Sequence, residues 1–251
     1  MTYNDLFART RLLLGDEAMQ QIMSKNIILF GVGGVGSWCA EALIRNGFNN
    51  LTIVDSDTVS EANINRQLPA TTKTVGQLKV DVLKDRLNEI NPYANINAIP
   101  KIYNNESSDS FHLDKYDYII DAIDTLPHKM HLLVASSKTD ATVFSSMGAG
   151  LKIDPLQVKV AEFWKVRTCK LAKALRTKMK KEQKPMKPIL CVYSEEQGQN
   201  RGDTNSKNII EESNFTKQNI NGTLMQVTAM FGITLSSLVV KDIMSKIENP
   251  I

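Results

Sequence analysis

Along the first two-thirds of the chain, short apolar runs alternate with stretches of helical spacing. Asn26–Phe30 (NIILF) is a continuous apolar run ending in glycines, which predicts a strand buried on both faces of a parallel sheet. Val35–Asn46 has helical spacing and stops at Gly47, and Asn50–Val54 (NLTIV) predicts a second strand ending at Asp55. Gly76–Asn91 predicts a helix, with Leu78, Val82, Leu83 and Leu87 on one face and Pro92 ending the run. Asn95–Ile99 and Tyr116–Ile120 predict further strands, Pro127–Ser137 a helix and Thr142–Met147 the next strand. Strand and helix in alternation predict a doubly wound, mainly parallel α/β sheet of Rossmann type.

The last third breaks this rhythm. Leu156–Phe163 and Ile189–Tyr193 predict strands on either side of a basic segment, 165–188. The polar stretch 195–221 has almost no aromatic residues and predicts a mobile loop. Leu224–Ile247 predicts a closing helix. Its apolar part is interrupted by Gln226, Thr228, Ser236, Ser237, Lys241 and Asp242, whereas a spanning helix needs about 20 nearly uninterrupted apolar residues. A core helix is expected, with no stable membrane insertion; peripheral contact with a membrane is the lesser alternative.

Composition narrows the classes. A hydrophobic share of 42% and a charged share of 23% are ordinary for a soluble globular chain, and 251 residues bury a sizeable core. The start, MTYNDLFARTRLLLG, matches neither a secretory signal nor a transit peptide. Three distant cysteines, Cys39, Cys169 and Cys191, form no C-x-x-C pair, so neither a disulfide framework nor structural zinc is expected, and a cytoplasmic location is. His112, His128 and His131 show no ligand spacing. Charge is unevenly spread: Lys165–Lys187 holds ten basic residues against one acid, a local +9 in a chain of net charge +3, so the remainder carries −6.

The chemistry starts at Gly31-Val32-Gly33-Gly34-Val35-Gly36, between a predicted strand and a predicted helix. Glycines there let the backbone approach phosphate, and the helix start offers free N–H groups. Asp55, ending the second strand, stands where a carboxylate accepts bonds from ribose hydroxyls. This much suits NAD, flavin, S-adenosylmethionine or ATP. Asn63-Ile64-Asn65-Arg66-Gln67 and Gly76-Gln77-Leu78-Lys79 then add an arginine and a lysine, and Asp121-Ala122-Ile123-Asp124 adds a carboxylate at the same sheet edge. Extra cations suit a triphosphate, and a carboxylate there suits Mg²⁺.

In order and spacing, GVGGVGS, Asp55, NINRQ, GQLK and DAID resemble the ThiF/MoeB and ubiquitin-activating family of adenylating enzymes. The resemblance implies that a substrate carboxylate attacks the α-phosphate of ATP to give an acyl-adenylate. It also implies roles. Gly31, Gly33, Gly34 and Gly36 cradle the nucleotide, Asp55 holds its ribose, and Asp57 is a further nucleotide-binding residue. Asn63, Arg66 and Lys79 hold phosphates, and Asp124 holds magnesium. The family supplies an arginine from a partner's N-terminal arm, which implies a homodimer; Arg11 is the first choice and Arg9 the second. The implied layout is one domain, 1–251: an arm, 1–24, a nucleotide-binding core, 25–155, and a substrate-side extension, 156–251.

VGSWCAEAL, INP, SMGAG with DP, VYSEE and TAMFGITLSSLVVK extend the resemblance to the tRNA-cyclising branch of that family. That branch implies ATP-dependent dehydration of N6-threonylcarbamoyladenosine in tRNA. The alternative is adenylation of a sulfur-carrier protein's C-terminus, and a sulfur-transfer or redox protein is a further candidate partner. The basic segment gives an independent reason for tRNA. Leu171, Leu175 and Met179 recur every four residues and can dock on the body, while Lys170, Lys173, Arg176, Lys180 and Lys181 are left to meet phosphates. Trp164 reads as a core residue, with base stacking as the alternative. Cys191 reads as structural rather than catalytic.

Overall fold

The chain, described by a computed structural model over residues 2–202 and 221–249, builds one seven-stranded sheet. Residues 203–220 of the expected loop lie outside the described residues. The strands are β1 (Asn26–Phe30), β2 (Asn50–Val54), β3 (Asn95–Ile99), β4 (Tyr118–Asp121), β5 (Thr142–Ser146), β6 (Val158–Glu162) and β7 (Leu190–Ser194). Their order is β3-β2-β1-β4-β5-β7-β6, all parallel except the β6–β7 pair. Phe30 pairs with both Val54 and Asp121, so β1, β2 and β4 end level. The winding direction reverses between β1 and β4, which opens a crevice at that carboxyl edge.

Among the described residues eight α-helices accompany the sheet: α1 (Tyr3–Leu6), α2 (Ala8–Leu14), α3 (Asp16–Ser24), α4 (Gly36–Arg45), α5 (Lys79–Ile90), α6 (Leu126–Ser136), α7 (Lys170–Lys181) and α8 (Met225–Glu248). On one face Met19, Leu43, Leu83 and Leu235, from α3, α4, α5 and α8, share a core. On the other, Leu132 and Leu133 of α6 meet Ala172, Leu175 and Met179 of α7. Each such large side chain contributes about 1.5–3 kcal/mol on burial.

The apolar closing helix is a core element, as its polar interruptions predict. Its Gly232 lies so close to α4 that a Cβ there would sit 2.3 Å from the Val35 carbonyl oxygen. The basic helix docks by the expected stripe, shifted slightly: Ala172, Leu175 and Met179 are buried and Leu171 only partly.

Boundaries moved for local reasons. Gly76 adopts φ +86° and Leu78 is extended, so α5 begins at Lys79. Pro155–Gln157 forms a 3₁₀ turn capped by the Asp154 side chain, which delays β6 to Val158. The expected arm is three short helices. It is anchored by buried Phe7 and by the Tyr3 hydroxyl, which donates to the Gly47 carbonyl at 2.6 Å. On α2, however, Leu12 and Leu13 are 88% and 82% exposed.

Candidate active site

The glycine loop leaves β1 at the switch point and feeds directly into α4. Gly31 needs its glycine twice over: φ is +86°, and a Cβ would stand 2.8 Å from the Ala122 carbonyl oxygen. A Cβ at Gly36 would overlap the Gly31 carbonyl oxygen. Ser37 donates its hydroxyl to Gly33 O at 2.7 Å, which ties the loop to the first turn of α4. That helix start, preceded by small residues, presents backbone N–H groups suited to an anion.

Asp55 follows β2 and faces this loop. Its Oδ2 accepts from Val32 N at 2.8 Å and its Oδ1 from Asp57 N at 2.9 Å. Burial holds its carboxyl above the ordinary carboxylate range, opposed mainly by the charge of Lys79. A carboxylate with two backbone bonds retains lone pairs for ribose hydroxyls.

Lys79, at the start of α5, is buried, and its Nζ pairs with Asp57 Oδ2 at 2.8 Å. Arg66 lies along the other flank, its Cγ 3.3 Å from where a Gly34 Cβ would stand. Its Nη1 donates to Ala62 O and Asn65 Oδ1, and its own carbonyl accepts from Trp38 Nε1 at 3.1 Å. Asn63 is buried, and its Oδ1 caps the 3₁₀ turn by accepting from Ser60 N. Asp124 is exposed, three residues past the end of β4.

The expected residues therefore ring one sheet edge, except the N-terminal arginines, which stand on α2. Arg11 is occupied within its own arm, with Nη1 on Asp16 Oδ1 at 2.6 Å and Nη2 on Asn4 Oδ1 at 2.7 Å. Arg9 is exposed and has no ion-pair partner among the described residues.

Two features escaped the sequence. Gln67 is buried beside Gly33, and its Oε1 has no hydrogen-bond partner among the described residues. A buried amide oxygen left unpaired is costly unless a ligand satisfies it. Its place in NINRQ was the available signal. The second is a fully buried ion pair between Lys129 and Asp121 at 2.6 Å, which apolar patterning had no means to reveal.

Beside the NINRQ segment lies a cavity of about 750 Å³, lined by Leu151, Lys152, Glu196, Thr223 and Leu224 among others. Asn65 Nδ2 donates to Thr223 O at 3.2 Å, so cavity and NINRQ segment share a wall. Burial lowers the Lys152 pKa, and its Nζ donates to Glu196 O at 2.7 Å. Cys39 and Cys191 are fully buried, and burial pushes both thiols far up, which disfavours the thiolate at either position. Among the described residues no group of three His, Cys, Asp or Glu side chains converges on a metal site.

The basic surface is α7 and the turn before it. Lys170, Lys173, Lys180 and Lys181 are exposed. Arg176 is half-buried: its Nη1 donates to Phe163 O at 3.0 Å, and its guanidinium lies 6.0 Å from the Phe163 ring centroid. Lys187 is spent on the carbonyls of Thr139 and Ala141. Trp164, expected in the core, is instead 37% exposed, set edge-on to Phe163 at 5.2 Å. Glu162 caps its turn by accepting from Trp164 N, which turns the indole outward while Phe163 takes the core position.

Residues 7–250 match the model of the ThiF family. The chain is 40% identical over 190 residues to a tRNA threonylcarbamoyladenosine dehydratase of Bacillus subtilis, covering 76% of this chain and 74% of that one. It is 34% identical to a protein of the same name from Haemophilus influenzae, covering 72% and 69%. The crystal structure of the Escherichia coli tRNA N6-threonylcarbamoyladenosine dehydratase in complex with ATP superimposes with a TM-score of 0.86 at 30% identity, covering 98% of this chain and 96% of that one.

Proposed function

The chain belongs to the ThiF family, and on that premise we propose that it uses ATP to dehydrate and cyclise N6-threonylcarbamoyladenosine in tRNA. One observation carries this reading: over almost its whole length the chain shares the fold of a dehydratase of that name bound to ATP.

The poor leaving group of the threonyl carboxylate sets the chemistry. A carboxylate oxygen attacks the α-phosphorus, pyrophosphate leaves, and the acyl carbon then carries AMP. The adjacent carbamoyl group attacks that carbon, the bond to AMP breaks, one ureido proton is lost, and a five-membered ring closes. Proximity within one molecule drives the closure. No thioester is needed, in keeping with the buried, weakly acidic thiols of Cys39 and Cys191.

Each residue has a bounded task. The glycine loop and α4 seat the phosphates, Asp55 receives the ribose, and Lys79 and Arg66 neutralise charge on the outer phosphates. Asp124 suits Mg²⁺, which binds through one or two carboxylates together with substrate phosphates, so a single exposed carboxylate at this edge fits its needs. Bound there, the metal supplies charge neutralisation. The cavity beside Asn65 and Thr223 receives the modified nucleoside.

Exposed Leu12 and Leu13 on α2 form an apolar patch suited to a second copy, and a homodimer would let an arm arginine reach the partner's triphosphate. Arg9 is better placed for this than Arg11, whose guanidinium already holds Asp16 and Asn4. The tRNA lies along α7, where the exposed Lys170, Lys173, Lys180 and Lys181 meet backbone phosphates and Trp164 stacks on an unpaired base. The enzyme acts in the cytoplasm, with its free cysteines reduced.

The deciding experiment is mass analysis of nucleosides from threonylcarbamoyl-modified tRNA after incubation with the protein and ATP. Loss of one water from the modified adenosine, dependent on ATP, supports the reading. Unchanged nucleosides together with an adenylated carrier-protein tail would replace it with the sulfur-carrier alternative.

A further inference from the structure

We propose that the buried Lys129–Asp121 pair is the positioning device for Asp124, and so for the metal-bearing end of the nucleotide site. The inference rests on the assignment of Asp124 as the magnesium carboxylate. Both side chains are 0% exposed, and Nζ lies 2.6 Å from Oδ2.

The remaining bonds of the pair show what it grips. Asp121 Oδ1 accepts from the Ile123 backbone N–H at 3.0 Å. Lys129 Nζ donates to the Ile123 carbonyl at 2.9 Å. Ser145 Oγ donates to Asp121 Oδ2 at 2.6 Å and fixes the carboxylate against β5. Both backbone polar groups of Ile123 are thus held, and its carbonyl belongs to the peptide bond that leads into Asp124. The opposite side of the turn is wedged against the glycine loop: Ala122 N donates to Phe30 O at 2.8 Å, and Gly31 has no room for a Cβ beside the Ala122 carbonyl. One rigid unit therefore links the loop that seats phosphate to the residue that precedes the carboxylate.

Stability alone does not account for such a pair. Taking two charges out of water costs about as much as their attraction returns, and apolar side chains of equal volume often serve as well or better. What apolar side chains cannot do is bond a backbone N–H and C=O on the way to a functional residue. Placement matters because a misplacement of about 1 Å can cost roughly 10²-fold in rate.

Replacing Lys129 alone would strand the Asp121 charge in the core and risk unfolding. The informative protein is the double variant Asp121→Asn with Lys129→Met. It removes both charges, keeps an acceptor for Ile123 N–H and leaves the Ile123 carbonyl unheld. Three quantities are measured on the full-length protein: backbone hydrogen exchange across 121–125, ATP affinity without divalent metal, and ATP–pyrophosphate exchange with modified tRNA over a magnesium titration. Exchange of the 122–125 amides should quicken, and metal-free ATP affinity should stay within about twofold. Turnover should fall by about 10²-fold, with half-saturation shifted to higher magnesium. A folded double variant with wild-type turnover and magnesium dependence overturns the proposal, as does a metal-free ATP affinity that falls as far as turnover.

Asp124→Ala, run in parallel, separates the two claims. If it retains magnesium-dependent exchange, the metal assignment falls and this inference with it. If it is inactive while the double variant behaves as wild type, the positioning role alone is lost.

Discussion

Lys79 and Asp57 face each other across the rim of the nucleotide crevice, Nζ to Oδ2 at 2.8 Å, the lysine side chain 7% exposed and the aspartate 65%. A buried ammonium whose partner is solvated can exchange that partner for a phosphate oxygen without first being desolvated. Lys79→Met should therefore weaken ATP binding by tenfold or more, about 1.4 kcal/mol. AMP, which lacks the outer phosphates, should lose about twofold or less. Parallel titrations with the two nucleotides check this, and equal losses would move Lys79 away from the outer phosphates.

The arm arginines make a second test. Arg11→Ala removes bonds to Asp16 and Asn4 at a site about a third exposed, so it should cost at most about 1 kcal/mol of stability. Arg9→Ala should leave stability unchanged and depress adenylation. Mixed dimers of Arg9→Ala and Asp124→Ala protomers should recover partial activity, because one of the two sites then has both groups intact. Recovery seen only with Arg11→Ala would restore Arg11 to the role.

On the proposed RNA surface, charge and stacking should separate. Reversing Lys173, Lys180 and Lys181 should weaken tRNA binding and reduce its salt slope by about one unit for each phosphate left without a cation. Trp164→Ala should weaken binding by about 1–3 kcal/mol with the slope unchanged, since a stacked base carries no counterion. ATP affinity should stay the same in both. Unaltered tRNA affinity in a well-folded triple variant would remove α7 from the interface.

Glu41 supplies a pH signature. Burial raises the pKa of its carboxyl, but hydrogen bonds and charge from Arg86 and Arg45 outweigh burial and leave it below the ordinary 4.5. A carboxylate depressed in the folded state stabilises above its unfolded pKa, and that stabilisation is lost as pH falls through the lower folded value. Glu41→Gln should cost about 2 kcal/mol near neutrality. The gap in melting temperature between variant and wild type should narrow below about pH 4.5. A pH-independent gap would mean that lost packing, rather than the charge, is responsible.

Much of this protein was legible in its residues. Continuous apolar runs such as NIILF and NLTIV place the buried parallel strands, because a strand covered by helices on both faces needs apolar side chains on both. Gly31 and Gly36 mark the glycine loop, because a Cβ at either would collide with neighbouring backbone. The order of Asp55, Arg66, Lys79 and Asp124 after that loop was enough to expect them along one sheet edge, and their proposed roles in the site rest on that order. Three things depended on the tertiary structure. Trp164 lies outside because Phe163 takes the core position on the same turn. Arg11 is occupied because α3 brings Asp16 beside it. Lys129 is buried because β4 presents a carboxylate to α6. Local pattern determines which backbone a segment adopts and which face is apolar. Which polar groups neutralise one another depends on distances between segments far apart in the chain, and those are decided only when the sheet closes.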